Sequence, residues 1–110
     1  MKKSIGETIG WINGKWGNIY ELSIPICDRG LKFSDGIFET ILILNGKPQL
    51  LNRHYKRWEK SADMMGMKRP PQLSWLEALI KETIDKASLT NKNGSLRLNW
   101  SRGNAINRGI

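Results

Sequence analysis

The feature that most constrains the fold is the dipeptide Asn-Gly, which occurs three times, at Asn13-Gly14, Asn45-Gly46 and Asn93-Gly94. Both residues of a tight type I′ turn need a positive φ, which Asn and Gly tolerate best. The first pair lies between residues 9–12 and 15–20, so it predicts a hairpin. The second pair joins the β-branched segment 37–44 to residues 47–51, so it predicts another hairpin with 37–44 as a central strand.

Two helices are predicted after the second hairpin. Asn52 is a candidate N-cap, and an apolar stripe at helical spacing follows: Tyr55, Trp58, Ala62 and Met65. Gly66 is a candidate terminator, and Pro70-Pro71 prevents continuation. Residues 74–77 read Ser-Trp-Leu-Glu, a capping box that opens the second helix. The predicted buried face of that helix comprises Leu76, Leu79, Ile80, Thr83, Ile84 and Ala87.

A last strand is predicted from residues that alternate between apolar and polar: Leu96, Leu98 and Trp100 against Arg97, Asn99 and Ser101. The order is therefore strands, helix, helix, strand. This order predicts an α+β two-layer domain, with a mainly antiparallel sheet and two helices on one face.

The length and ends of the chain set its domain organisation. The 110 residues suffice for one domain, 1–110. The sequence stops in an Arg/Gly loop directly after a predicted core strand, so we expect the N-terminal part of a longer protein. No apolar run is long enough to span a bilayer. Because Cys27 is the single cysteine, no intrachain disulfide can form, which fits a reducing cytoplasm. The sequence has no cluster of metal-ligating residues, so no metal site is predicted.

The net charge of +8 is concentrated in two segments. Residues 53–70 carry six Lys/Arg against two Asp/Glu, and residues 93–110 carry three Arg and no acid. Two separate basic clusters can hold a small anionic molecule, and they can equally form a nucleic-acid footprint. Charge alone leaves both interpretations open.

Two groups of residues are candidates for binding an anion. His54, Arg57 and Ser61 share one helix face, where Arg57 can present its planar fork to a phosphate. The alternative is a solvated basic face, which would include the neighbouring lysines of this helix. Arg102 and Arg108 lie in a Gly-containing loop that can bind a carboxylate or phosphate, or that is simply a basic end.

Three motifs follow one another along the chain. Residues 28–40 read Asp-Arg-Gly-Leu-Lys-Phe-Ser-Asp-Gly-Ile-Phe-Glu-Thr. Residues 51–58 read Leu-Asn-Arg-His-Tyr-Lys-Arg-Trp, and the third motif comprises Ser-Arg-Gly at 101–103 and Arg-Gly at 108–109. In this order the motifs resemble those of the class IV aminotransferases, the fold-type IV pyridoxal-phosphate enzymes. The second motif is similar to the His-x-x-Arg-Leu helix of that family, with Trp58 in place of Leu.

The resemblance implies a role for each matching residue. Arg57 matches the arginine that binds the phosphate of pyridoxal 5′-phosphate, and Phe38 matches the aromatic residue that faces the substrate. Arg108 matches the arginine that recognises the substrate carboxylate, often in the neighbouring subunit of a homodimer, whereas Arg102 matches a structural position. The lysine that bonds the cofactor belongs to a second domain, and none of the eleven lysines here matches it. We therefore expect this chain alone to be inactive.

The motifs resemble aminodeoxychorismate lyases and D-amino acid aminotransferases more than the branched-chain group. The choice between lyase and transaminase stays open, because it depends on pocket residues outside this sequence. The resemblance places the cofactor phosphate at Arg57 and the carboxylate of an amino acid or aminodeoxychorismate substrate at Arg108, which accounts for both basic clusters as small-anion sites. The alternative is a small basic nucleic-acid-binding module, which rests on the charge, the aromatic content and the Arg/Gly end.

Overall fold

The computed structural model describes residues 8–18, 20–30 and 35–103. The elements in chain order are β1 (Ile9–Ile12), β2 (Lys15–Asn18), β3 (Gly36–Leu44), β4 (Lys47–Pro48), α1 (Leu51–Met64), α2 (Leu73–Lys86) and β5 (Gly94–Ser101). This arrangement confirms the α+β prediction.

Strand β3 is the centre of a three-stranded antiparallel sheet with the order β4-β3-β5. Its pairing with β5 runs without a break from Gly36 opposite Ser101 to Ile43 opposite Gly94. Strands β1 and β2 form a separate two-stranded hairpin. The central position predicted for residues 37–44 is therefore confirmed.

The core lies between one face of the sheet and the two helices. Strand β3 buries Ile41 and Ile43 on that face, while its intervening residues are exposed, as the two-residue period of a strand requires. The other buried members of the core cluster are Tyr55, Trp58, Leu76, Ile80, Ile84 and Leu98. Because both helices pack against the same face, the other face of the sheet is left open.

The two predicted hairpin turns have the expected backbone. Asn13 and Gly14 have φ values of 49° and 92°, and Asn45 and Gly46 have values of 52° and 77°. The second turn also contacts the loop before β5, since Asn45 N donates to Asn93 Oδ1 at 2.8 Å. A Cβ at Gly46 would collide with the carbonyl group of Thr90, so glycine is required there for space as well as for φ.

The helix starts differ from the sequence predictions. Helix α1 is preceded by Leu50 in the left-handed region, at φ 55°, so Asn52 lies inside the helix and does not cap it. Helix α2 begins at Leu73 after an extended Gln72, with no side-chain cap, so Ser74 does not form the predicted capping box. In both cases a leucine that packs against the core starts the helix, so tertiary packing outweighs capping.

Two smaller predictions also fail. Strand β4 has only two residues, rather than extending over 47–51, because the chain turns at 49–50 into α1. Met65 is 41% exposed and lies beyond the end of α1, so it is not part of the buried stripe. Gly66, with φ 67°, follows the helix as predicted for a terminator.

Candidate anion-binding site

A buried carboxylate lies beneath α1. Glu39 is on β3, at the same parity as Ile41 and Ile43, so its side chain points toward the helices rather than toward the open face. The residue is only 9% exposed. An acidic side chain at such a position needs charged or hydrogen-bonding partners to offset its loss of hydration.

Helix α1 provides those partners from two residues that are one turn apart. Arg57 Nε donates to Glu39 Oε2 at 2.9 Å, and Arg57 Nη2 donates to Glu39 Oε1 at 2.7 Å. His54 Nδ1 lies 2.7 Å from Glu39 Oε1. The i, i+3 spacing of His54 and Arg57 places both on the face that meets the strand. Both carboxylate oxygens are therefore satisfied.

The geometry assigns the proton on His54. Glu39 as a carboxylate can only accept hydrogen bonds, so the short contact requires a hydrogen on Nδ1. Arg57 Nη2 is 3.3 Å from the same Nδ1, but both atoms are then donors, so this pair is a contact and not a hydrogen bond. The Nε2 atom of His54 is left to face away from Glu39.

The ion pair between Glu39 and Arg57 determines the charge state of the cluster that these two residues form with His54. Hydrogen bonds from Arg57, and secondarily from His54, hold the pKa of Glu39 below its ordinary value of 4.5, although burial opposes this shift. The same pairing raises the pKa of Arg57. The cluster therefore contains a stable carboxylate and a permanent guanidinium cation.

Arg57 can bind a further anion without releasing Glu39. Its side chain is 67% exposed, whereas that of Glu39 is 10% exposed, so the guanidinium lies between the carboxylate and solvent. Nε and Nη2 bind Glu39, and among the described residues Nη1 has no protein acceptor. Guanidinium N–H groups suit phosphate and carboxylate oxygens.

Phe38 is on the opposite face of the sheet. It is 56% exposed, and the guanidinium carbon of Arg97 lies 4.0 Å from its ring centroid, a cation–π contact. Arg97 is next to Phe38 because β5 pairs with β3 and places Arg97 opposite Thr40. The structure therefore does not bring Phe38 into contact with the Arg57 cluster, but it does show a second exposed cation beside the aromatic ring.

A second carboxylate joins the ends of the sheet. Asp35 Oδ2 accepts from Arg29 Nε and from Arg102 Nε, each at 2.7 Å. Arg102 also donates to the carbonyl oxygens of Met65 and Gly66, at 2.8 and 3.3 Å, where α1 ends. The guanidinium of Arg102 therefore donates its hydrogen bonds to other groups of the protein, as is expected of a structural residue.

The sequence candidates are thus distributed over two faces. Arg57 lies in the cluster with Glu39 and His54, and Phe38 lies on the open face of the sheet, while Arg108 lies outside the described residues. Sequence reasoning missed Glu39 as a site residue. Glu39 could have been found from the two-residue period of the apolar strand, since it shares a face with Ile41 and Ile43. That face packs against a helix that carries cations.

Two other features are absent from the described residues. No helix among them has the length and apolar character needed to cross a membrane. In the same part of the chain, no group of three or more His, Cys, Asp or Glu side chains is arranged to hold a metal ion.

Comparison with known proteins identifies the family. Residues 36–108 match the family described as amino-transferase class IV. The D-alanine aminotransferase of Bacillus licheniformis is 34% identical over 93 residues, which cover 84% of this chain and 32% of that protein. A bifunctional aminodeoxychorismate lyase / D-amino acid transaminase of Mycobacterium tuberculosis is 32% identical over 90 residues, which cover 79% of this chain and 31% of that protein.

The fold agrees with this match. A hypothetical aminotransferase from Mycobacterium tuberculosis, solved in its PLP-bound form, superimposes with a TM-score of 0.74 at 28% identity, over 86% of this chain and 34% of that one. The chain belongs to the class IV aminotransferase family. It spans about a third of the length of the curated relatives that it matches.

Proposed function

We propose that this chain is the N-terminal part of a pyridoxal-phosphate-dependent enzyme, a D-amino acid aminotransferase or an aminodeoxychorismate lyase. The family match and the names of the relatives support the reaction class. The complete enzyme acts as a homodimer on a small amino acid-like substrate, and the lone cysteine fits a cytoplasmic location.

The observation that carries the proposal is the orientation of Arg57. Its guanidinium is bound on one edge by Glu39 and exposed on the other, which fits one phosphate group of a bound ligand. The donor set thus suits the phosphate of pyridoxal 5′-phosphate, for which Arg57 is the proposed ligand in this chain. When bound, that cofactor supplies an electron sink for a negative charge at the substrate carbon.

Two further residues are proposed to meet the substrate. Phe38 presents an exposed ring on the open face of the sheet, where it can pack against the substrate. Arg108 provides a planar fork for the substrate carboxylate, as the family resemblance implies. Neither residue transfers a proton, so both act by orienting the substrate.

The proposal is tested by cofactor affinity in the complete enzyme. Arg57→Ala should weaken the binding of pyridoxal 5′-phosphate more than Lys56→Ala or Lys60→Ala, because both lysines are exposed residues of the same helix. Fluorescence titration gives the three dissociation constants. If all three variants retain the cofactor equally, Arg57 is only part of a solvated basic face.

The products distinguish the two reactions. A lyase releases pyruvate from aminodeoxychorismate without an amino acceptor, whereas a transaminase requires a 2-oxo acid acceptor to turn over.

A salt-sensitive complex with single-stranded RNA that persists at physiological salt would instead support the nucleic-acid alternative.

A further inference from the structure

We propose that Glu39 is a positioning residue for the cofactor phosphate: it fixes the guanidinium plane of Arg57 so that the remaining N–H groups point toward the ligand. This inference rests on the proposed function, and it assigns a role to a residue that does not itself touch the phosphate. The carboxylate acts from beneath the site, on the opposite edge of the guanidinium.

The first argument is rigidity. An arginine side chain that is 67% exposed has several rotatable bonds and would otherwise sample many orientations. Two hydrogen bonds to one carboxylate fix both the position and the plane of the guanidinium. Glu39 is itself held by the sheet, where it pairs with Leu98 in the centre of the β3–β5 ladder. The arginine is therefore positioned relative to the sheet before any ligand arrives.

The second argument is charge. A carboxylate near a phosphate would repel it unless cations lie between them. Here Glu39 is buried, Arg57 lies on its solvent side, and His54 binds the same carboxylate oxygen. The negative charge is thus compensated within the cluster, so the outer edge of Arg57 still attracts an anion.

Replacing Glu39 with Gln tests the role with little change of shape. The amide keeps one acceptor oxygen but replaces the other with an NH₂ donor, which would face a donor of Arg57 or His54. The two-point bond cannot form, so Arg57 loses its fixed orientation while its charge remains. Glu82→Gln is the matched control, because Glu82 is an exposed carboxylate on α2.

The first measurement uses the 110-residue chain. In a ¹⁵N NMR spectrum, the Nε–H of Arg57 should give a protected signal, because it is bonded to Glu39. The signal should disappear into fast exchange with water in Glu39→Gln and persist in Glu82→Gln. An unprotected signal in the unmodified chain would overturn the proposed positioning.

The second measurement uses the complete enzyme and compares two ligands, pyridoxal 5′-phosphate and pyridoxal, which lacks the phosphate. In Glu39→Gln the preference for the phosphorylated ligand should fall by about tenfold, and pyridoxal should bind as before. A purely structural role would lower the melting temperature and weaken both ligands alike. Glu39→Asp, which shortens the side chain by one methylene, should lose an intermediate part of the preference for the phosphorylated ligand. It replaces Glu39→Gln in this test if that variant fails to fold.

The outcomes separate this inference from the proposed function. If the unmodified enzyme shows no preference for the phosphorylated ligand, the proposed phosphate site itself is wrong. If that preference exists and is unchanged in Glu39→Gln and Glu39→Asp, only the role of Glu39 is overturned.

Discussion

The carboxylate of Asp35 accepts a hydrogen bond from Arg102 at 2.7 Å, and this bond joins the residue before β3 to the residue after β5. The neighbouring backbone strengthens the connection, because Arg102 N donates to the Asp35 carbonyl at 3.0 Å. The same guanidinium reaches the carbonyl groups of Met65 and Gly66. One side chain thus ties the two main strands to the end of α1.

Arg102→Ala should therefore destabilise the domain. It removes hydrogen bonds from a guanidinium that is 35% exposed, and within the described part of the chain it leaves Asp35 with Arg29 alone as a charged partner. We expect a loss of about 1–2 kcal/mol in the free energy of unfolding, measured by urea denaturation. Arg53→Ala, an exposed arginine on α1, should have little effect. Equal stability of the two variants would contradict a structural role for Arg102.

The stability of the chain should fall in acid. Hydrogen bonds from Arg102 and Arg29 lower the pKa of Asp35 below its ordinary value of 3.8, and those from Arg57 and His54 lower that of Glu39 below 4.5. Because the folded-state pKa values lie below the unfolded ones, this stabilisation is fully present when the pH is above the ordinary pKa values of the two carboxyl groups. It is lost as the pH falls through the folded-state values.

Glu39→Gln isolates one of these two contributions. The variant should be less stable than the unmodified chain at neutral pH, and the difference should shrink as the pH falls below the ordinary pKa of Glu39. Urea midpoints measured across the acid range check this expectation. A difference that stays constant with pH would mean that the ionised form of Glu39 contributes no stability.

The chain alone should not form a specific covalent adduct with pyridoxal 5′-phosphate. Eight of its eleven lysines lie in the described residues, and all eight are exposed. Borohydride reduction followed by mass spectrometry should show scattered, substoichiometric labelling. One lysine modified stoichiometrically would contradict the expectation that the reactive lysine lies in another part of the enzyme.

Arg108→Ala in the complete enzyme should impair substrate use and spare the cofactor. The loss of a carboxylate contact should lower kcat/KM by about tenfold or more, which corresponds to roughly 1.4 kcal/mol. The absorbance of the bound cofactor should not change. A lower cofactor affinity with unchanged kcat/KM would place Arg108 at the phosphate instead.

Mixed dimers test whether Arg108 serves the neighbouring subunit. An Arg108→Ala subunit is combined with a subunit that lacks the cofactor-binding lysine. If the loop crosses the interface, one site has both its own lysine and the partner's arginine, so about half of the unmodified activity should return. If the loop stays in its own subunit, each site lacks one group and verified mixed dimers remain inactive.

Local sequence determined the turns and much of the core pattern. Asn13-Gly14 and Asn45-Gly46 adopt the positive φ that the chemistry of the two adjacent residues favours, so both turns were predictable without knowledge of any partner. Asn93-Gly94 does not adopt it, and Gly94 instead begins β5. The spacing of Tyr55, Trp58 and Ala62 similarly determines which face of α1 is buried. The family motifs also point to Arg57, because they depend on residue types and order.

Only the tertiary structure decided where the helices begin and which charges meet. Helix α1 begins at Leu51, after Leu50 in a left-handed conformation that no capping pattern indicates, and Leu51 packs against the core. Glu39 and Arg57 are 18 residues apart, and Asp35 and Arg102 are 67 apart. Such pairs form because the sheet register and the docking of α1 bring them together. The local pattern places Glu39 on the helix-facing side of β3, but it does not specify which residues meet across that distance.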